Sequence, residues 1–241
     1  MLINMNIVIK TEKYSRVYQR IKLLVFDMAG TTVDEGGIVY KTLFKTMTDF
    51  NLDVNETDIH KWHGSNKYEV LDHYLMRKIT STDETIINSL KTQLHTSFNN
   101  NLKEQYFKSD KIKLIDDGIP ELFNRIRAGG IKIALNTGYN KDIQKSIIEK
   151  LNMDSFIDDY ISSEEVKFGR PYPYMIHRLM ERHSIESGHQ IIKFGDSRND
   201  ILEGLNANCR ATIGVLSGAD NEASFESATH VIRNVMDIDV I

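Results

Sequence analysis

Six short apolar runs, each ending in a polar turn, constrain this chain more than any other feature. They are "IKLLVFD" (21–27), "IKIALNTG" (131–138), "FIDDYISS" (156–163), "QIIKFGDS" (190–197), "RATIGVLSG" (210–218) and "THVIRN" (229–234). Runs that are apolar throughout, without inside–outside alternation, suit strands of a parallel sheet covered on both faces. Helical candidates stand between them. "PELFNRIRAGG" places Pro120 at a first helical position and Gly129-Gly130 at the end, and "KDIQKSIIEKLN", "YPYMIHRLMERH" and "NDILEGLNANC" follow. Strands alternating with helices of this length predict βαβ units and an α/β fold built on a three-layer, Rossmann-like parallel sheet.

The segment from Gly36 to Ile112 breaks the pattern. It contains no convincing strand, and apolar residues recur at helical spacing: Val39, Leu43, Met47 and Phe50, then Tyr68, Leu71 and Leu75, then Ile86, Leu90, Leu94 and Phe98. Gly36-Gly37 reads as a hinge. The expectation is a helical cap of residues 36–112 inserted into a core of residues 1–35 and 113–241. Such a cap would lie over the carboxyl edge of the sheet, where open α/β folds bind ligands.

Four strand ends at that edge carry polar groups: Asp27, Asn136-Thr137-Gly138, Ser162-Ser163 and Asp196. One aspartate after a strand is ordinarily a helix N-cap or turn residue. Four such ends together point to a site. Asp27 with Asp196 and Asp200 offers oxygen-only ligands of the kind Mg²⁺ takes, and the ion would neutralise a substrate anion approaching a carboxylate nucleophile. Thr137 and Gly138, read as opening a helix, and Arg170 in "FGRPYP" are the expected donors to phosphoryl oxygens.

Composition narrows the class further. The formal charge of −4 over 241 residues argues against a surface for nucleic acid. A single cysteine, Cys209, excludes an internal disulfide and fits a reducing compartment. The opening "MLINMNIVIKTEKYSRVYQR" is too short and interrupted for a secretory core or a membrane span, so a cytoplasmic protein without membrane partners is expected.

"DMAGTTVD", "NTGYN", "GRPYP" and "GDSRND", in this order, resemble the four motifs of the haloacid dehalogenase (HAD) superfamily over about Ile21 to Ile232. The helical insert stands where that superfamily places its first type of cap. More narrowly, "FDMAGTTVD", "TGY" and "GRPYP" are similar to the phosphonoacetaldehyde hydrolase (phosphonatase) branch. Most phosphatases of the superfamily instead carry a second aspartate in the first motif and a lysine in the third. The resemblance implies that Asp27 attacks phosphorus and forms an aspartyl-phosphate. It also implies that Mg²⁺ is held by Asp27, the backbone carbonyl of Ala29 and Asp196, with Asp200 in support. Thr137, Gly138 and Arg170 would bind the phosphoryl group, and Thr31 would order the loop.

Ala29 carries information of its own. A phosphate ester must expel an alkoxide, and an acid beside it is worth roughly 10²- to 10⁴-fold in rate. Alanine two residues after the nucleophile donates no proton. A C–P bond needs an electron sink instead, which an imine between an aldehyde and a lysine provides. Phosphonatases draw that lysine from the cap, and "WHGSNKYEV" resembles their glycine-then-lysine segment, with Lys67 at the matching position. Asn66 and Glu69 read as a capping pair, which puts Lys67 in a first helical turn where the dipole disfavours a cation. The family has a histidine three residues after this lysine. Here Val70 stands in its place, His63 replaces a family methionine, and His73 lies one turn beyond Val70.

The expected function is Mg²⁺-dependent hydrolysis of a small phosphonate or phosphate metabolite, with a homodimer allowed. The alternatives are a phosphate-ester hydrolase with its acid elsewhere, a metal-free haloacid dehalogenase, and a phospho-ligand binding protein with a degenerate site.

Overall fold

A computed structural model describes residues 5–63, 65–108 and 112–241. In chain order, β1 (Ile7–Lys10), β2 (Ser15–Tyr18), β3 (Leu23–Asp27) and β4 (Val33–Asp34) precede four helices. These are α1 (Ile38–Asp49), α2 (Glu56–Ile59), α3 (Lys67–Lys78) and α4 (Glu84–Lys108). Then come β5 (Lys113–Leu114), α5 (Ile119–Ala128), β6 (Lys132–Thr137), α6 (Lys141–Lys150) and β7 (Asp159–Ser162). The chain closes with α7 (Tyr174–Arg182), β8 (Ile191–Gly195), α8 (Arg198–Asn206), β9 (Ala211–Val215), β10 (His230–Ile232) and β11 (Ile238–Val240).

The six apolar runs supply one sheet in the order β10-β9-β8-β3-β6-β7, with every neighbouring pair parallel. Strand periodicity divides its central strand between two cores. Leu23 and Val25 pack with Met175, Ile176 and Leu179 of α7, while Leu24 and Phe26 face Leu122, Phe123 and Ile126 of α5. Phe26 also stacks on Phe194 of β8, with ring centroids 4.4 Å apart. The register sets Asp27 beside Asn136 and Thr137 beside Ser162, so the polar strand ends share one edge.

Helices α1–α4 form an insertion between β3 and the rest of the sheet, with β4 and β5 pairing antiparallel where the chain leaves and returns. Val39, Leu43 and Met47 of α1, Leu71 and Leu75 of α3, and Leu94 and Phe98 of α4 are buried together, whereas Ile86 is exposed. Gly36 and Gly37, the expected hinge, hold φ values of +62° and +71° and lead into α1. Three strands absent from the sequence reading form a second sheet, β11-β1-β2, antiparallel throughout. It joins β1 and β2 of the opening segment to β11 near the end of the chain. Among the described residues, no helix is long and apolar enough to cross a membrane.

Candidate active site

Asp27 ends β3 and is almost fully buried. Its loop is drawn tight by backbone N–H groups of Thr31, Thr32 and Val33 donating to the Met28 carbonyl, while Gly30 N donates to Val33 O. Thr32, not singled out from sequence, donates its hydroxyl to the Asp27 carbonyl at 3.0 Å. The Thr31 hydroxyl is buried without a hydrogen-bond partner among the described residues.

Opposite Asp27 stands Arg170, from the loop before α7, whose peptide bond to Pro171 is cis. Its Nη1 lies 2.7 Å from Oδ1 of Asp27 and 3.1 Å from Oδ1 of Asp200. Nε lies 3.1 Å from Oε2 of Glu203, and Nη2 donates at 2.8 Å to both the carbonyl and Oδ1 of Asn136. The guanidinium expected to hold phosphoryl oxygens is therefore also the central cation of the protein's own carboxylates. Five buried groups fix one another's positions here, and charge-assisted bonds to a planar fork impose that geometry.

Two further members of this cluster were missed in the sequence. Lys193 lies inside β8 with no exposure; its Nζ donates to Asn136 Oδ1 at 2.9 Å and to Asp200 Oδ1 at 2.7 Å. Glu203 on α8 accepts from Asn136 Nδ2 and Arg170 Nε. The available signal was a charge inside an apolar run, "IIKFG", since buried lysine requires a partner.

Asp196, Asp27 and Asp200 present carboxylate oxygens within 4.8 Å of one another. Their environments differ. Burial and then the neighbouring Asp27 and Asp200 push Asp196 well above the usual carboxylate range. Burial also raises Asp27, although Arg170 opposes it. For Asp200, burial acts upward, but Arg170 and Lys193 outweigh it and hold the carboxyl below its ordinary value. Both Asp200 oxygens are engaged, one by Lys193 and Arg170, the other by the Ser197 hydroxyl. Asp196 Oδ2 accepts from Ala219 N at 2.6 Å. Among the described residues, no hydrogen bond reaches Oδ1 of Asp196 or Oδ2 of Asp27. This oxygen-only set, with two carboxylates raised by burial and by neighbouring negative charge, fits a divalent cation.

Thr137 and Gly138 lie at the same edge, but they do not open the following helix. Asn140 does, its side chain accepting from Ile143 N, and Thr137 Oγ1 accepts from Tyr139 N at 3.2 Å. The chain makes one further turn between strand and helix than the spacing suggested. Ser162 donates its hydroxyl to the Tyr139 carbonyl at 2.6 Å, and Ser163 accepts from Asn66 Nδ2 of the insertion at 3.0 Å.

Lys67 is the first residue of α3, whose N-cap Asn66 accepts from the backbone of Tyr68 and Glu69. The Glu69 carboxylate reaches across to Gly169 N at 3.3 Å, so it ties the insertion to the Arg170 loop. Lys67 is 5% exposed, donates to Ser65 O at 2.7 Å and lies 4.9 Å over the Tyr40 ring. Burial, helped by Arg170, brings its amine down to about 8, while Asp27, Glu35 and Asp196 pull the other way. The insertion's lysine and the strand-end aspartates thus share one electrostatic environment. Gly64, the glycine preceding it in the cap segment, lies outside the described residues.

A cavity of about 520 Å³ opens beside these groups, lined by Ala29, Asp196, Tyr40, Phe44 and His63 among others. Val70, at the position of the family's histidine, is buried in the apolar core, and His73 is exposed and packs on Trp62.

Residues 21–208 match the family model described as haloacid dehalogenase-like hydrolase. The chain is similar to the phosphonoacetaldehyde hydrolase of Bacillus cereus (strain B4264), 26% identical over 208 residues, 83% of this chain and 77% of that protein. Among solved structures it resembles a phosphonoacetaldehyde hydrolase-like protein from Oleispira antarctica, with TM-score 0.72, 21% identity and 90% coverage of each chain. A β-phosphoglucomutase from Clostridium difficile gives TM-score 0.73 at 20% identity, covering 89% of this chain and 91% of that one. With the model spanning most of its length and the strand-end aspartates gathered at one edge, the chain belongs to the haloacid dehalogenase-like hydrolases.

Proposed function

We propose that this hydrolase is phosphonatase-like: it cleaves the C–P bond of a small aldehyde-bearing phosphonate, using Asp27 as nucleophile and Lys67 as imine-forming amine. The observation that carries the reading is the buried Lys67, with its amine lowered to about 8 in the same electrostatic environment as Asp27. A lysine so placed keeps a reactive neutral fraction near pH 7. Ala29, where a leaving-group acid would serve an ester, favours the same chemistry. Support also comes from the names of the similar proteins from B. cereus.

Helices α1–α4 act as the cap, residues 36–112, over a core of residues 1–35 and 113–241. Asp27 Oδ2, Asp196 Oδ1 and the Ala29 carbonyl would hold Mg²⁺, with Asp200 keeping its neighbours in place. The ion supplies charge neutralisation for the phosphoryl group. Arg170 orients Asp27, and Thr31, Thr137 and Gly138 receive phosphoryl oxygens together with it. The orphaned Thr31 hydroxyl gains a partner in this arrangement. Asp27 attacks phosphorus, the C–P electron pair passes into the imine, and water then hydrolyses the aspartyl-phosphate. A reducing, cytoplasmic setting suits a chain with one cysteine.

The test is incubation with phosphonoacetaldehyde and Mg²⁺ in the presence of borohydride. A reductively trapped mass adduct on Lys67, absent in Lys67→Ala, and loss of phosphate release in Asp27→Asn are expected. Phosphate-ester turnover without any adduct would transfer the assignment to a phosphatase.

A further inference from the structure

The amine of Lys67 is held from its own chain: Nζ donates at 2.7 Å to the carbonyl of Ser65, two residues earlier. A lysine side chain is long and turns freely, so its amine stays at one point only where a fixed acceptor holds it. Ser65 lies outside α3, in the turn that precedes it, and its N–H donates to the Trp62 carbonyl at 3.1 Å. That bond bends the turn but does not tie it to the core.

The tie comes from Asn199, in the first turn of α8. Its Nδ2 crosses to the insertion, donating to the His63 carbonyl at 2.6 Å and to Ser65 Oγ at 3.1 Å. A side-chain amide nitrogen carries two hydrogens, one for each acceptor. Asn199 does not start its own helix, because Ser197 is the N-cap of α8 and accepts from Asp200 N. The next residue, Asp200, belongs to the carboxylate cluster. One helical turn thus carries a carboxylate of the site and the amide that holds the lysine's acceptor.

Three other ties between core and insertion act on residues other than Ser65. Asn66 Nδ2 donates to Ser163 Oγ at 3.0 Å, Glu69 accepts from Gly169 N at 3.3 Å, and His63 Nδ1 lies 3.0 Å from Oδ1 of Asp220. These place the insertion as a body. The Asn199 amide acts on the residue to which the amine is bonded.

We infer that Asn199 is a positioning residue for Lys67: by holding His63 and Ser65, it fixes the carbonyl that keeps the amine at the buried site. The inference rests on the imine reading above and adds no chemical step to it. Without the amide, Ser65 and the lysine bonded to it are free to swing toward water. An amine there is protonated near pH 7 and does not attack an aldehyde.

The test reads where an aldehyde is captured. The full chain is mixed with phosphonoacetaldehyde, Mg²⁺ and borohydride, and peptide mass mapping gives the adduct on Lys67 relative to that on Lys61, an exposed lysine of the insertion. Wild type is expected to favour Lys67. Asn199→Ala is expected to lower the Lys67-to-Lys61 ratio about tenfold or more, since misplacing a reacting group by about 1 Å costs on the order of 10²-fold. Ser65→Ala removes one acceptor and keeps the carbonyl. A smaller loss in the same direction is expected, and this variant decides the matter if Asn199→Ala does not fold. Asn99→Ala controls for a merely structural role, because it removes bonds to Tyr68 and Asn140 and none to His63, Ser65 or Lys67. Its ratio is expected to stay at the wild-type value. If folded Asn199→Ala keeps the wild-type ratio, or Asn99→Ala lowers it as much, the assignment of Asn199 is overturned and the imine reading stands. If wild type yields no adduct on Lys67, the imine reading falls and this inference falls with it.

Discussion

Nη1 of Arg170 lies 2.7 Å from Oδ1 of Asp27, with both side chains withdrawn from solvent. Taking two charges out of water is costly, and the pair is tolerated because Arg170 also binds Asp200, Glu203 and Asn136. Removing the cation would leave buried carboxylates uncompensated. Arg170→Met is expected to destabilise the fold by about 3–5 kcal/mol. Arg170→Lys keeps a charge but not the planar fork, and should fall between the two. Denaturant unfolding measures both. A loss for Arg170→Met within about 1 kcal/mol, the range of an ordinary substitution, would mean that the network does not depend on its cation.

Lys67 gives a pH signature. With its amine at about 8, roughly a tenth is neutral at pH 7, against roughly three parts in ten thousand for an unperturbed lysine. The rate of reductive trapping by an aldehyde should therefore climb with pH and level off above about 8. Stability follows the same group with a definite sign. The folded amine is the weaker proton binder, so between about 8 and the ordinary value of 10.5 the unfolded chain binds more protons and stability rises with pH. Below about 8 the full penalty is present. Lys67→Met is expected to be at least as stable as wild type at pH 7, with the difference shrinking by pH 10.5. A variant markedly less stable than wild type at pH 7 would mean that contacts to Ser65 and Tyr40 outweigh burial.

The sheet was legible because parallel strands buried on both faces leave uninterrupted apolar runs, and all six runs became strands of one sheet. The second sheet was not, because β2 carries exposed Ser15, Arg16 and Val17 and the pairing of β1 with β11 spans nearly the whole chain. At the site, strand-end aspartates announced themselves by position. Lys193 and Glu203 did not, since their role is decided by partners distant in sequence: Asn136 and Arg170. His63 and Asp220 are 157 residues apart, a pairing no local pattern contains. Thr137 and Gly138 were correctly brought to the edge, but the helix start was set by Asn140, the stronger side-chain cap.

Two glycines define the space for Asp196. A Cβ on Gly30 or on Gly218 would collide with the Asp196 carboxylate, and Gly30 also holds φ at +82°. Gly218→Ala, free of the backbone penalty, is the cleaner probe. It is expected to lower Mg²⁺-dependent turnover by tenfold or more, about 1.4 kcal/mol in transition-state terms, by displacing one carboxylate. Activity titrated against Mg²⁺ provides the check. Wild-type metal dependence in Gly218→Ala would show that the loop yields instead of Asp196.

Asp196 itself allows metal binding to be separated from catalysis. Burial and the charges of Asp27 and Asp200 raise its carboxyl, so the folded chain holds this proton more tightly than the unfolded one. Metal-free stability is therefore expected to fall as pH rises from 3.8 through the folded value, because the ionised form is the one repelled. Asp196→Asn removes that charge, and the Asn side-chain oxygen can still accept from Ala219 N. The metal-free variant should melt at or above the wild-type temperature at pH 7. Added Mg²⁺ reverses the order. An ion held by Asp27 and Asp196 would stabilise wild type by about 2.7 kcal/mol at a hundred times its dissociation constant, whereas the variant, left with one of those carboxylates, should respond weakly. Thermal melts at increasing Mg²⁺ read both effects in one series. Equal upward shifts in the two proteins would place the ion elsewhere than between Asp27 and Asp196.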